Sequence, residues 1–205
     1  MKLVWKIALS VAVGVFAWAF KNEGISLGDK APLQDVKMED ISGSSMSLAD
    51  LKKENGLLVI FSCNTCPFVI GTEDVYPFLG TLSERNNIGM VLVNSNEAKR
   101  PGDDEMGAMQ SHAADKNYNT PYVIDKDHQL ADAFGANTTP HVYLFDGDMN
   151  LVYTGAIDDR YEQKSKEPTV FWLKDAMMEL AAGRSGDISP SKTKNIGCSI
   201  KRVKK

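Results

Sequence analysis

Three cysteines are the residues of this 205-residue chain best suited to chemistry. Two stand in Cys63-Asn64-Thr65-Cys66, with Pro67 next, and the third is Cys198. A dithiol at this spacing opens and closes by thiolate attack, at a rate set by the thiolate fraction. A helix N-terminus raises that fraction because it favours negative charge. Pro67 fits the first turn of a helix, where its missing N–H costs nothing. Just before the pair, Leu57-Leu58-Val59-Ile60-Phe61 is an unbroken apolar run, the pattern of a strand buried on both faces. Both thiols therefore belong at a strand-to-helix corner, which is a redox site in physical terms.

Other uses of these cysteines are weaker. A four-residue loop makes a poor structural staple, because the gain from loop closure grows with loop length. Cys63, Cys66, Cys198 and His141 would form a Cys₃His zinc set, but paired ligand spacings are missing. Copper held by Cys63, Cys66 and a histidine is a related reading. Pro67 stands where a c-type haem motif requires His. No metal and no cofactor is expected.

The elements that position the dithiol follow from periodicity. Residues 36–41 read as a short edge strand with a turn at 40–44. Ser47 starts a helical turn as N-cap, with Asp50 in the capping-box place, and Gly56 ends it before the central strand. After Cys66, the residues Phe68, Val69, Val75, Phe78, Leu79 and Leu82 fall at helical separations. Pro77 predicts a kink in that helix, and Asn86-Asn87 ends it. A second buried strand covers 88–93, a polar loop 94–104, and a helix 105–116 with Asp103 or Asp104 as cap. A short strand at 121–125 precedes a helix at 127–134, stopped by Gly135. Strand 141–145, the turn Asp146-Gly147-Asp148 and strand 151–154 form a hairpin. Val170, Leu173, Met177, Leu180 and Ala181 mark a final amphipathic helix, with Gly183 past its end. Alternating strands and helices predict an open α/β sheet, and the hairpin makes it mixed.

Hydrophobic residues are 43% and charged residues 24%, ordinary for a soluble globular protein. A net charge of −4 gives no reason to expect a nucleic-acid partner. Lys2 and Lys6 precede an uncharged apolar run of 14 residues at 7–20, and Ala17-Trp18-Ala19 has the small-x-small pattern. Residues 1–19 read as a secretory signal peptide cut after Ala19, or as a retained membrane anchor, the one case in which the membrane is a partner. Either way the folded part is expected outside the cytoplasm, periplasmic or otherwise exported. The expected organisation is a linker at 20–27, one domain at 28–184, and a basic tail at 185–205 that contains Cys198 and is solvated. An odd cysteine count in an exported chain leaves Cys198 without an obvious partner.

Gly28-Asp29-Lys30-Ala31-Pro32, Ser47-Leu48-Ala49-Asp50-Leu51, the strand into Cys63-Asn64-Thr65-Cys66-Pro67, Thr138-Thr139-Pro140 and Leu144-Phe145-Asp146 together carry a resemblance. On these motifs the chain resembles the thioredoxin-fold superfamily in its redoxin branch. That branch holds the alkyl hydroperoxide reductase/thiol-specific antioxidant proteins and exported thioredoxin-like reductants. Ile196-Gly197-Cys198-Ser199-Ile200-Lys201 is similar to an ending seen in uncharacterised redoxin-like proteins. The resemblance implies a thioredoxin-like α/β fold, a central mixed sheet flanked by helices. It implies that Thr139-Pro140 is a cis-proline corner beside the dithiol, where the Thr139 backbone pairs with substrate chain. It also implies that Cys63, the more exposed thiol, attacks and that Cys66 resolves. The activity it implies is thiol-disulfide exchange on protein disulfides or dithiols, with an upstream reductant as second partner.

The chain departs from the family pattern in places. Ser62 stands where thioredoxins usually carry Trp, and Leu57 where many carry a buried Asp that helps move protons. A peroxidatic Thr-x-x-Cys would put its Cys at Cys66 and its Thr at Cys63, and the cysteine found there argues against the alternative of a thiol peroxidase. A non-enzymatic metal-binding redox chaperone is the third reading. Three accessory residues remain open. Cys198 is a third redox thiol, a lone tail thiol or a dimer link. Arg160, after Asp158-Asp159, steadies a thiolate or makes a surface ion pair. His141 faces the core or the dithiol.

Overall fold

A computed structural model describes residues 24–162 and 167–204. The leader at 1–19 and the start of the linker lie outside the described residues. No helix among the described residues is long and apolar enough to cross a membrane.

Strand β1 (Met38–Asp40) and β2 (Ser45–Met46) form a small hairpin, followed by α1 (Leu48–Leu51). The capping box of α1 is present: Ser47 accepts from the Asp50 amide, and the Asp50 carboxylate accepts from the Ser47 amide. Next come β3 (Gly56–Ser62), α2 (Pro67–Ile70), α3 (Tyr76–Arg85) and β4 (Ile88–Asn94). Then follow α4 (Met106–Asp115), β5 (Tyr122–Ile124) and α5 (Gln129–Phe134). The chain finishes with β6 (Thr138–Thr139), β7 (His141–Phe145), β8 (Leu151–Gly155), α6 (Trp172–Ala181) and β9 (Cys198–Ser199). The main sheet runs β2-β1-β5-β4-β3-β7-β8, and β6 pairs with β9 apart from it.

The strand β3 lies deep in this sheet. It pairs in parallel with β4 from Gly56↔Ile88 to Ser62↔Asn94, and antiparallel with β7 from Leu57↔Phe145 to Phe61↔His141. Its side chains alternate between two apolar layers. Leu58 and Ile60 pack with Tyr76, Leu79, Met109, Leu173 and Met177 of α3, α4 and α6. Leu57, Val59 and Phe61 pack with Leu48, Leu130 and Phe134 of α1 and α5. Burying the five side chains from Leu57 to Phe61 contributes on the order of 10 kcal/mol before entropy is counted. Gly56 enters the strand at φ 131°, and a Cβ there would lie 2.0 Å from the Phe145 carbonyl oxygen, so only glycine fits. The result is the central mixed sheet flanked by helices that the sequence predicts.

The structure departs from expectation in three places. The single kinked helix after Cys66 is instead α2, a short turn at Glu73–Val75, and α3, with Pro77 in the first turn of α3. Proline is tolerated there because that amide has no helical partner to lose. Neither Asp103 nor Asp104 caps α4; Glu105 occupies the cap position without a side-chain bond, and Asp104 is buried elsewhere. The solvated tail is also corrected. Residues 185–204 return over the fold, bury Ile188 and Ile200, and form β9 against β6. Backbone bonds from Thr154 to Ser191, Thr193 to Thr154, Ile200 to Asn137 and Ala98 to Lys201 hold the segment down. Its lysines mark the outer face of a docked strap.

Candidate active site

The chain leaves β3 at Ser62, turns through Cys63-Asn64-Thr65, and enters α2 with Cys66 as N-cap and Pro67 at the first helical position. Thr139-Pro140 is a cis peptide, and Thr139 faces both thiols. Cys63 Sγ lies 3.2 Å from Thr139 Oγ1, and the Cys66 thiol donates to the Thr139 carbonyl over 3.1 Å. The sequence-predicted residues Cys63, Cys66, Thr139, Pro140 and Cys198 therefore converge. All three cysteines are free. The exposure difference expected between the thiols is absent: Cys63 is 2% exposed and Cys66 3%.

Electrostatics separates the two thiols instead. The Cys66 thiol is lowered to about 4, first by the hydrogen bond from Cys63, against the cost of burial, then by the Cys198 thiol and the amides of Val69 and Cys198. Cys63 is pushed far up, by its bond to Cys66, by burial and by the nearby charge of Asp104. Cys198 rises to about 11 through burial and its interaction with Cys66. The donors around the site place negative charge on Cys66.

A polar network beneath Cys63 was hidden in the sequence. Asp104 is fully buried, and its Oδ1 accepts from the Asn64 amide at 2.9 Å and from Asn94 Nδ2 at 2.8 Å. Its Oδ2 accepts from Asn96 Nδ2 at 3.0 Å. Asn94 also donates to Tyr122 Oη, which donates to Asn64 Oδ1, both at 3.0 Å. Leu57 lies in the apolar layer, so the buried carboxylate of this site is Asp104. The signal available in the sequence was three polar residues, Asn94, Ser95 and Asn96, directly after a buried strand. A second cluster lies behind Tyr76, whose hydroxyl is 3.3 Å from Ser62 Oγ. There Glu73, 1% exposed, accepts from Tyr118 at 2.6 Å and meets His112 and Lys116 at 2.7 Å each.

Arg160 is buried rather than on the surface. It binds Asp158 through Nε and Nη2, and its Nη1 donates to the Gly71 carbonyl at 2.6 Å and to Asp74 at 3.2 Å. Gly71 is the C-cap of α2, so Arg160 anchors the far end of the dithiol helix and its bonds go to no thiol. His141 turns toward Tyr143 Oη at 3.3 Å and Thr154 Oγ1 at 3.4 Å. Burial and then the Lys192 charge lower its pKa to about 4. The Cys₃His zinc set is thus not assembled, and among the described residues no group of three or more His, Cys, Asp or Glu is placed to hold a metal. Beside the cis-proline a shallow pocket is lined by Thr72, Pro140, Ile157, Tyr161, Trp172 and Ile196.

The fold is thioredoxin-like. Among solved structures the chain is similar to a hypothetical protein from Sinorhizobium meliloti 1021, with 28% identity, a TM-score of 0.80, and 89% of this chain and 97% of that one covered. It is similar to an uncharacterized conserved protein from Geobacillus kaustophilus at 29% identity and a TM-score of 0.80, over 88% of this chain and 94% of that one. Among characterised proteins it is similar to thiol-disulfide oxidoreductase ResA of Bacillus subtilis (strain 168), 26% identical over 166 residues, 77% of this chain and 82% of that protein. The AhpC/TSA family pattern matches residues 27–154, a span that holds the central strand, the dithiol and the cis-proline corner. With most of its length matched, site included, the chain belongs to the AhpC/TSA family.

Proposed function

We propose that this protein is a thiol-disulfide oxidoreductase that uses Cys63 and Cys66 on protein substrates outside the cytoplasm. The observation that carries the reading is the convergence of both thiols on Thr139, Cys63 Sγ at its hydroxyl and Cys66 Sγ at its carbonyl, beside the cis-proline. The similarity to ResA supports the reaction class.

In the reduced state one thiolate of the pair attacks a substrate disulfide, forming a mixed disulfide and releasing the first substrate thiolate. That thiolate takes the proton of the second thiol of the pair. The second thiolate then attacks the mixed disulfide, closing the Cys63–Cys66 disulfide and releasing the second substrate thiolate. An external dithiol reductant reopens the pair. The resemblance assigns the attack to Cys63 and the resolution to Cys66. The pocket beside Pro140 would take a substrate side chain next to the disulfide, and substrate chain would pair along Thr139 once β9, which occupies that edge, moves away. Arg160 acts as a positioning residue through the end of α2.

The test is dithiothreitol-driven reduction of insulin. Cys66→Ser and the double variant Cys63→Ser/Cys198→Ser should each abolish turnover, and turnover that survives either change overturns the reading. Cys66 also stands where a peroxidatic cysteine would stand, and its lowered pKa favours thiol peroxidase chemistry as the second reading. Stoichiometric hydrogen peroxide would then convert Cys66 to a sulfenic acid detectable by dimedone. An unmodified Cys66 removes that reading.

A further inference from the structure

We propose that Cys198 is a third redox centre, which exchanges with the Cys63–Cys66 disulfide to form a Cys66–Cys198 disulfide within the chain. The proposal rests on the dithiol reading above and goes beyond it.

The placement of Cys198 is built, not incidental. β9 pairs antiparallel with β6 so that Cys198 lies directly opposite Thr139. Thr139 is the same residue whose carbonyl accepts from Cys66 and whose hydroxyl lies beside Cys63. Gly197 lets the strand come this close, since a Cβ there would lie 2.2 Å from the Thr139 carbonyl oxygen. On the far side of Cys198, Ile200 is 5% exposed and its amide donates to the Asn137 carbonyl at 2.9 Å. The Lys201 amide donates to Asn96 Oδ1 at 2.8 Å, and Asn96 in turn donates to Asp104, the carboxylate that holds the Asn64 amide inside the dithiol motif. Arg202 Nε binds Asp132 at 2.7 Å. Cys198 is thus clamped on both sides by residues tied to the site. Cys198 and Cys66 meet at one residue, Thr139, and each shifts the ionisation of the other. A lone tail thiol would have none of these supports.

The step balances without a co-reactant. The Cys198 thiolate attacks the Cys66 sulfur of the Cys63–Cys66 disulfide. The Cys66–Cys198 bond forms, the Cys63–Cys66 bond breaks, and Cys63 leaves as a thiolate that takes up the proton lost by Cys198. No net oxidation occurs; one oxidised state is shared between two pairings. Cys63 is then free to meet substrate while Cys66 is protected.

The experiment equilibrates the full chain, wild type and Cys63→Ser, with millimolar oxidised and reduced glutathione. It quenches in acid, alkylates with N-ethylmaleimide, and maps linked peptides by mass spectrometry. The expected result for Cys63→Ser is a monomer with a Cys66–Cys198 link, in about tenfold excess over the Cys66–glutathione adduct, because a tethered thiol acts at millimolar or higher effective concentration. Cys63→Ala repeats the measurement with a different side chain. A Cys66–glutathione adduct with Cys198 fully alkylated overturns the proposal, and so does a Cys198-linked dimer. The two readings fail separately. Wild type that forms the Cys63–Cys66 disulfide while neither variant links Cys66 to Cys198 sinks only the third centre. Absence of insulin reduction by folded wild type, together with no Cys63–Cys66 disulfide in it, sinks the oxidoreductase.

Discussion

Asp104→Asn tests the electrostatics of the site most directly. The carboxylate accepts three hydrogen bonds, two at Oδ1 and one at Oδ2. An asparagine keeps its oxygen best at the Oδ1 position, facing the Asn64 amide and Asn94. Its NH₂ then faces the Asn96 NH₂, donor against donor. Asn96 cannot flip without giving up the Lys201 amide at its Oδ1. One buried donor loses its partner, which costs about 1–3 kcal/mol. Two further bonds lose their charge assistance, while relief from burying an anion offsets part of that. The net is a loss of about 2 kcal/mol, or a fall in Tm of roughly 4–8 °C for a fold of this size. The second effect falls on Cys63, which the Asp104 charge pushes upward. Removing that charge relieves a repulsion on the order of 1–2 kcal/mol at an effective dielectric of about 20. The alkylation midpoint of Cys63 should therefore fall by about one pH unit, each unit being ~1.4 kcal/mol. The assay compares Cys66→Ser with Cys66→Ser/Asp104→Asn by iodoacetamide rates at each pH, read at Cys63 by mass spectrometry, so that coupling to Cys66 is removed. A midpoint that stays or rises refutes the assignment of Asp104 as the charge beneath Cys63, whatever happens to Tm.

In the reduced wild type, Cys66 should alkylate ahead of Cys63 between pH 5 and 6, since its pKa is lowered to about 4; modification of Cys63 first would contradict the placement of charge. Burial would raise the Glu73 carboxyl, but the bonds from His112, Lys116 and Tyr118 outweigh it and hold the group at about 2 against an ordinary 4.5. Its folded pKa is depressed, so its stabilisation is present above about pH 4.5 and is lost as pH falls toward about 2. Glu73→Gln should cost about 2 kcal/mol in urea unfolding at pH 7, after allowing for solvent screening, and much less near pH 2; an equal cost at both would remove the carboxylate from the account. Arg160→Met should destabilise by about 3–5 kcal/mol, because it leaves Asp158 buried without its partner, and Asp158→Asn in the same chain should recover part of that loss in a thermal melt.

The parts legible in the sequence share one property: a run of neighbours carried the signal. The apolar stretch from Leu57 to Phe61 named its own strand, and Pro67 named the corner after it. Ser47 and Asp50 completed a local capping box. The cis Thr139-Pro140 was legible only through family resemblance, since nothing in its neighbours demands it. What stayed hidden depends on residues far apart in the chain. Asp104 meets Asn64 across 40 positions, and Arg160 meets Gly71 across 89. Each looks like an ordinary loop charge until the fold closes. The strap was misread because its lysines dominate its composition, while its docking rests on backbone bonds and on the buried Ile188 and Ile200. Exposure of the two thiols was misjudged for a related reason: the strand that packs against Thr139 comes from that same strap.

The β6–β9 pairing has a thermodynamic consequence of its own. It joins two residues to two across some 60 positions of chain, so it repays little of its closure entropy with few bonds. The bonds that flank it at Ile200, Lys201 and Arg202 make up the difference, so the strap opens as one unit, below the global unfolding free energy and with the main sheet intact. The amides of Ile200 and Lys201 should then exchange hydrogen long before those of β3 and β4. Access to the sulfurs would be governed by the frequency of that fluctuation, so that the protein meets its partners through a transient minority state.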